Sequence, residues 1–370
     1  MIPVRPFTID VAQPILDRIR AKLALSQVGY APADDRDWRY GTDAAWLATL
    51  LDYWRSRFDW RVAEAGLNRH PHFKAEIDGI DIHFVHIRAT EANGCPPILL
   101  THGWPGSFYE FDAAIPLLVA QGFDLVVPSL PGYGFSGRPA TPVGPRAVAK
   151  LWRRLMTEAL GYQRFFAQGG DWGSPVTAWL GREHADVVAA IHLNLAVAPL
   201  DGSGDDEATA LWRNKVHGVR QAASAYMMEQ ATKPQTIGLA LADSPLGFAA
   251  WVCEKFHGWG DTHGNIESRF SKDQLLTNIM IYLVNDAVQS SIWMYRTIFT
   301  EGRDDWRVPV PTGVALFPAE FMPYPPRSGA ERAYNITRWT EMPAGGHFAA
   351  MEEPAAFAAE VGAYFATVAI

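Results

Sequence analysis

At 370 residues and 40.9 kDa, with 48% hydrophobic residues, the chain can bury one large α/β domain with additions and is too apolar to be disordered. A net charge of -8 argues against nucleic acid or an anionic membrane surface as the partner. Its two cysteines, Cys95 and Cys253, make neither a metal spacing nor a disulfide framework; no apolar run reaches the ~18 residues of a membrane span and no signal peptide is visible, so a soluble, cytoplasmic protein without a membrane anchor is expected.

Residues 1–70 read as a helical and irregular extension. Asp10 to Leu25 has helical periodicity, with Ile15, Ile19 and Leu23 on one face and Pro14 in the tolerant first turn. Asp43 is placed to cap a second helix carrying Trp46, Leu47, Leu50, Leu51 and Trp54, an apolar face for packing on the main domain. Phe73–Ile77 and Ile80–Ile87 alternate around Asp78-Gly79, the signature of a hairpin with a type I′ turn. Strands at Pro97–Leu100 and Leu125–Val127 then flank a helix over 108–120. A helix over 146–160 leads to the apolar strand Phe165-Phe166-Ala167, and Val187–Leu193 is another strand. Strands alternating with helices imply a mostly parallel sheet with right-handed crossovers. Residues 198–305 are helical and aromatic, as an inserted cap would be. Val314–Phe317 and Ile336–Glu341 return to the sheet, and a helix over 354–368 closes the chain. The core is therefore expected at 71–197 and 306–370.

The most informative run is Gly169-Gly170-Asp171-Trp172-Gly173-Ser174, between an apolar strand and a helix. Small residues around a strand-to-helix turn are the mark of a nucleophile elbow, and imply the α/β-hydrolase fold. The usual elbow holds serine; here Asp171 would attack a saturated carbon and leave an ester that water must open. The bland reading is an aspartate that caps the following helix. His102-Gly103-Trp104-Pro105 follows the first buried strand, where such folds supply one oxyanion N–H. Trp104 and Trp172 are the candidate donors, since Pro105 has no N–H. Chain order puts the base last, and His347 in Gly345-Gly346-His347-Phe348 follows a sheet strand. Glu320, after the strand ending at Phe317, is the candidate acid that orients it. Asp304 and Asp305 are rivals but precede that strand.

Other patterns are set aside. Gly132-Tyr133-Gly134-Phe135-Ser136-Gly137 matches a dinucleotide loop, yet no helix opens on it and Pro139 follows. His83 and His86 lie three apart on a strand and face opposite sides; His70 and His72 merely flank a proline. No cofactor and no metal are expected.

These motifs, with Gly106-Ser107-Phe108-Tyr109-Glu110-Phe111 continuing the first loop, closely resemble microsomal-type epoxide hydrolases. Arg5-Pro6-Phe7, Tyr53-Trp54-Arg55 and Leu67–Phe73 resemble that family's extra N-terminal domain, so the likeness covers essentially the whole chain. It implies an aspartate nucleophile, a histidine base, a glutamate partner and two cap tyrosines over the nucleophile. Tyr226, before Thr232-Lys233-Pro234, and Tyr295, after Ser290-Ser291, stand in the matching contexts. Phenols titrating near pH ~10 stay protonated and can donate to the opening ring oxygen. Trp104, Trp172 and Phe348 are the candidate substrate-contacting aromatics. Mammalian members begin with a membrane anchor; this chain opens on the extra domain and has a shorter cap, so the soluble, bacterial-like form is expected.

The implied partners are a small epoxide, apolar and bulky or aromatic by the ring content, and water. A haloalkane dehalogenase shares the Asp-Trp pair but has no use for paired phenols. A non-catalytic ligand-binding protein on this scaffold would be expected to have lost a catalytic residue. The N-terminal segment either braces the cap or forms the contact of a homodimer, and the sequence does not choose.

Overall fold

The computed structural model describes residues 1–198, 205–301 and 307–368. Asp304, Asp305 and the junctions proposed near 198 and 305 lie at or outside these limits.

One nine-stranded sheet organises the molecule, in the order β1-β2-β3-β5-β4-β6-β7-β8-β9. β1 (Val4–Phe7) pairs antiparallel with β2 (His72–Ile77), β2 with β3 (Ile80–Ile87), and β3 with β5 (Leu125–Pro128). From there all pairings are parallel, through β4 (Ile98–Thr101), β6 (Phe165–Gly169), β7 (Val188–Leu193), β8 (Val308–Leu316) and β9 (Tyr334–Glu341). Every residue of β4, β5, β6 and β7 is buried, which is why these strands read as continuous apolar runs rather than alternations. The β2–β3 turn has Asp78 and Gly79 at φ 52° and 76°, the doubly left-handed geometry of a type I′ hairpin. β1 departs from the helical reading of residues 1–70. Four residues interrupted by Pro6 carry too little alternation to register, and an edge strand is where a proline is tolerated.

The N-terminal helices are α1 (Gln13–Leu25), α2 (Ala44–Ser56) and α3 (Trp60–Leu67). In α1 the buried residues are Leu16, Ile19 and Leu23, so the inward face includes Leu16, with Ile15 only half-buried. The Asp43 carboxylate caps α2 by accepting the Trp46 N–H at 2.8 Å. Between the core strands run α4 (Ile115–Val119), α5 (Pro145–Arg154), which continues as a π-turn to Ala159, and α6 (Gly173–Glu183).

Among the described residues, six α-helices lie between β7 and β8: α7 (Glu207–Ala223), α8 (Ala225–Thr232), α9 (Pro234–Asp243), α10 (Pro245–Trp259), α11 (Lys272–Val284) and α12 (Ala287–Ser291), followed by a 3-10 stretch, Trp293–Phe299. α11 is buried all round from Leu275 to Val284, as a helix enclosed by other elements must be. The N-terminal helices lie against this cap. Thr42 donates to the Ala250 carbonyl at 2.7 Å, Trp46 to Glu267 at 3.0 Å and Tyr53 to Asp273 at 2.9 Å. Short helices α13 (Arg327–Ala330) and α14 (Ala349–Glu352) precede the closing α15 (Pro354–Ala366). No single described helix is long and apolar enough to cross a membrane.

Candidate active site

β6 delivers the chain to Asp171, and α6 leaves two residues later. Asp171 has φ +43°, a strained left-handed conformation for a side-chain-bearing residue. The neighbouring glycines make that turn feasible. A Cβ on Gly173 would stand 1.9 Å from the Thr101 carbonyl oxygen, and one on Gly103 would stand 2.2 Å from Asp171 Oδ1. The small residues read from the sequence are thus demanded by close approach of β4 and its loop to the elbow.

The Trp104 N–H donates to Asp171 Oδ1 at 2.7 Å. Trp172 is the N-cap residue of α6, so its N–H has no partner within the helix. Of the two candidate donors the structure joins only Trp104 to Asp171.

His347 closes the other side. Its Nδ1 lies 2.9 and 3.1 Å from the two Glu320 oxygens, and its Nε2 lies 3.2 Å from Asp171 Oδ2. That second approach is close enough for attraction between charges, but the buried Nε2 makes no hydrogen bond there. The His347 and Glu320 side chains are 2% and 3% exposed. Burial alone would lower the imidazole pKa; the Glu320 charge, then the contact with Asp171, outweigh it and hold the ring well above its ordinary value. The loop is pinned from beneath. Glu352 accepts the N–H groups of Gly346, Phe348 and Asp261, while Asp261 Oδ2 accepts that of Gly345 and the Trp259 carbonyl that of His347. Trp259 ends α10 and Asp261 lies two residues beyond it, so this segment helps set the histidine.

Tyr226 on α8 and Tyr295 in the 3-10 stretch face the same spot from above. Their ring centroids are 6.1 Å apart; Tyr226 stacks on Trp104 at 5.8 Å, and Tyr295 meets Trp172 edge-on at 4.9 Å. Burial pushes both phenol pKa values up, and the nearby Asp171 charge adds to it. Phe348 is 2% exposed and stacks on Phe256 at 4.0 Å, beside His347. The structure therefore brings all eight residues singled out from the sequence to one place.

A cavity of about 10 Å³ opens beside Asp171 and His347, lined also by Gln168, Asn194 and Glu110. That is about the space one water requires. Burial raises the Glu110 carboxyl pKa to about 8, with His347 pulling it down and Asp171 pushing it up. Sequence reasoning does not reach Glu110 as a site residue: its motif is legible, but nothing in the spacing says which of its side chains turns inward. The glycine loop beside the site serves as a seat for the cap. Ser290 donates to the Gly132 carbonyl and Asn285 to that of Gly134, each at 2.6 Å. His72 and His83, on paired strands, bond to each other at 2.9 Å, a partnership across the hairpin that neither motif alone suggests. Among the described residues no three His, Cys, Asp or Glu side chains group as a metal site.

Residues 4–111 match the family described as epoxide hydrolase N terminus, and residues 96–226 match that described as alpha/beta hydrolase fold. A Stigmatella aurantiaca protein provisionally named an epoxide hydrolase is 40% identical over 97% of this chain and 84% of its own length. Epoxide hydrolase 1 of Oryctolagus cuniculus is 34% identical over 97% of this chain and 88% of its own. Among solved structures, juvenile hormone epoxide hydrolase of Bombyx mori superposes with a TM-score of 0.89 at 30% identity, over 98% of this chain and 93% of that one. The Aspergillus niger epoxide hydrolase superposes with a TM-score of 0.88 at 32% identity, over 99% and 96%.

Proposed function

This chain belongs to the epoxide hydrolase family, and from that premise we propose that it opens an apolar epoxide to a vicinal diol through an ester on Asp171. The observation that carries the reading is the two-sided hold on one carboxylate. Oδ1 is bonded to the Trp104 N–H, and Oδ2 faces the imidazole of His347 beneath two tyrosines.

Oδ2 attacks a ring carbon and the carbon–oxygen bond of the epoxide breaks. The departing oxygen takes a proton from Tyr226 or Tyr295, whose raised pKa values keep that proton in place until charge develops. Water then attacks Asp171 Cγ, giving its proton to His347 Nε2, and the oxyanion on Oδ1 is held by the Trp104 N–H, with the Trp172 N–H as second donor. The ester bond breaks, the leaving oxygen takes the remaining proton of the attacking water so that Asp171 is again a carboxylate, the diol departs, and the proton on His347 restores the tyrosine. Ester formation removes the Asp171 charge, one of the groups that hold the His347 pKa up. The neutral imidazole, the form that can accept the proton of water, is thereby favoured in the ester. The cavity beside Asp171 and His347 is the seat for that water. Rings of Trp104, Trp172, Trp259 and Phe321 around the site support an apolar substrate. Paired phenols favour epoxide over halide as the leaving group, since a halide needs no proton.

The test is a turnover in ¹⁸O-water with styrene oxide. In a single turnover the diol oxygen is expected to come unlabelled from the enzyme, and after many turnovers label is expected in the peptide bearing Asp171. Label entering the diol directly in the first turnover would sink the ester. Asp171→Asn should form no diol.

A further inference from the structure

α10 is a core helix of the cap, and one of its buried residues is a lysine. Lys255 is 7% exposed among buried Val252, Cys253, Phe256 and Trp259. A lysine in such company needs a counterweight, because an ammonium loses its hydration there. Part of it is Glu254, the residue just before it in the chain, to which Nζ is bonded. The rest is a box of aromatic faces. Nζ lies 4.4 Å from the centre of the Tyr226 ring, 5.5 Å from Trp251 and 5.8 Å from Trp259. Trp251 is held in place by its indole N–H, which donates to Gln230 at 2.9 Å. On the site side Tyr226 stacks nearly parallel with Trp104, 9° between planes. The ring nearest the ammonium is thus the ring of a proposed proton donor, while Tyr295 has no such cation over it among the described residues.

We propose that Lys255 is a positioning residue that acts through Tyr226: its ammonium fixes the phenol ring over Asp171 and stabilises the negative charge that ring acquires when its proton passes to the epoxide oxygen. The inference rests on the epoxide reading above. The balance is simple. The Tyr226 O–H bond breaks, an O–H bond forms on the ring-opened oxygen, and phenolate remains until the proton taken up by His347 returns. No bond to Lys255 is made or broken. A cation over a neutral phenol is attracted only to the ring quadrupole. Over a phenolate it meets a full opposite charge in a dry setting, so the attraction grows as the transition state is approached, and only such growth speeds a step. Burial and then the Asp171 charge raise the Tyr226 pKa most, and Glu254 adds to it, so the bond from Lys255 to Glu254 also offsets that carboxylate's charge at the ring.

The experiment uses the full chain, styrene oxide and stopped-flow tryptophan fluorescence to separate ester formation from ester hydrolysis. Lys255→Met preserves length and suits an apolar site. It is expected to slow ester formation about tenfold while leaving hydrolysis within about twofold. Lys255→Arg should recover most of the loss. In a Tyr226→Phe background Lys255→Met should have no further effect, and in a Tyr295→Phe background its full effect should remain. Equal slowing of both steps, an undiminished effect without the Tyr226 hydroxyl, or no effect at all would overturn the inference. Should Lys255→Met fail to fold, Lys255→Gln and the arginine variant carry the same cycle. A wild-type enzyme that turns over no epoxide would instead bring down the functional reading, and Lys255's role with it.

Discussion

In the proposed mechanism the chemistry turns on one carboxylate and one imidazole whose charges depend on each other. Against the pull of burial, the charges of Glu320 and of ionised Asp171 hold the His347 pKa well above its ordinary value. His347→Gln should therefore spare ring opening and block hydrolysis of the ester, leaving a trapped adduct. Mass spectrometry should find the enzyme heavier by one epoxide, attached at Asp171; an unmodified variant would contradict the division of labour. The same coupling sets the sign of the pH dependence. A general base works only when neutral, so the hydrolysis step should slow as pH falls through the His347 pKa in the ester. That midpoint should lie below the one of the free enzyme, because esterification removes a negative charge from Nε2. Single-turnover hydrolysis rates against pH, compared with NMR titration of the free imidazole, would check it.

Among the elements, the caps and close approaches decide more than the long helices. The Asp43 carboxylate satisfies the Trp46 N–H at the start of α2. Asp43→Ala should cost about 1 kcal/mol, read as a fall of about 1–2 °C in melting temperature for a chain of this length, with ester formation unchanged. The elbow has the opposite character. Its strain at Asp171 is sustained by Gly103 and Gly173, where any side chain would collide with backbone or with the Asp171 side chain itself. α10 links cap to chemistry, since its end supplies the carbonyl that receives the His347 N–H and the aspartate that receives Gly345.

At the scale of the whole molecule, the N-terminal segment lies against the helices that carry both tyrosines. Thr42, Trp46 and Tyr53 all donate to cap residues, and Lys22 pairs with Asp243 at 2.7 Å. Leu50 on α2 is fully buried. Leu50→Ala should lower stability by about 2–5 kcal/mol. If the brace matters for the cap, ester formation should fall more than ester hydrolysis, because in the proposed mechanism the tyrosines serve the first step and the sheet loops serve the second. Equal effects on both steps would reduce the extension to a contributor of stability alone.

Much of the plan is written in local sequence. Strand-to-helix alternation, the Asp78-Gly79 hairpin and the glycine-flanked Asp171 are local patterns, because periodicity and turn chemistry act over a few residues. Chain order and loop context separate His347 and Glu320 from rivals, and family likeness is needed for Tyr226 and Tyr295. Beyond the reach of local sequence lies everything that depends on distant segments meeting. β1 exists only because β2 offers it an edge, Glu110 turns inward only because Gly106 leaves room for its carboxyl, and Lys255 reads as one more cap lysine until folding sets it over Tyr226. Burial, charge coupling and side-chain direction are properties of neighbours in space, and only the tertiary structure chooses those neighbours.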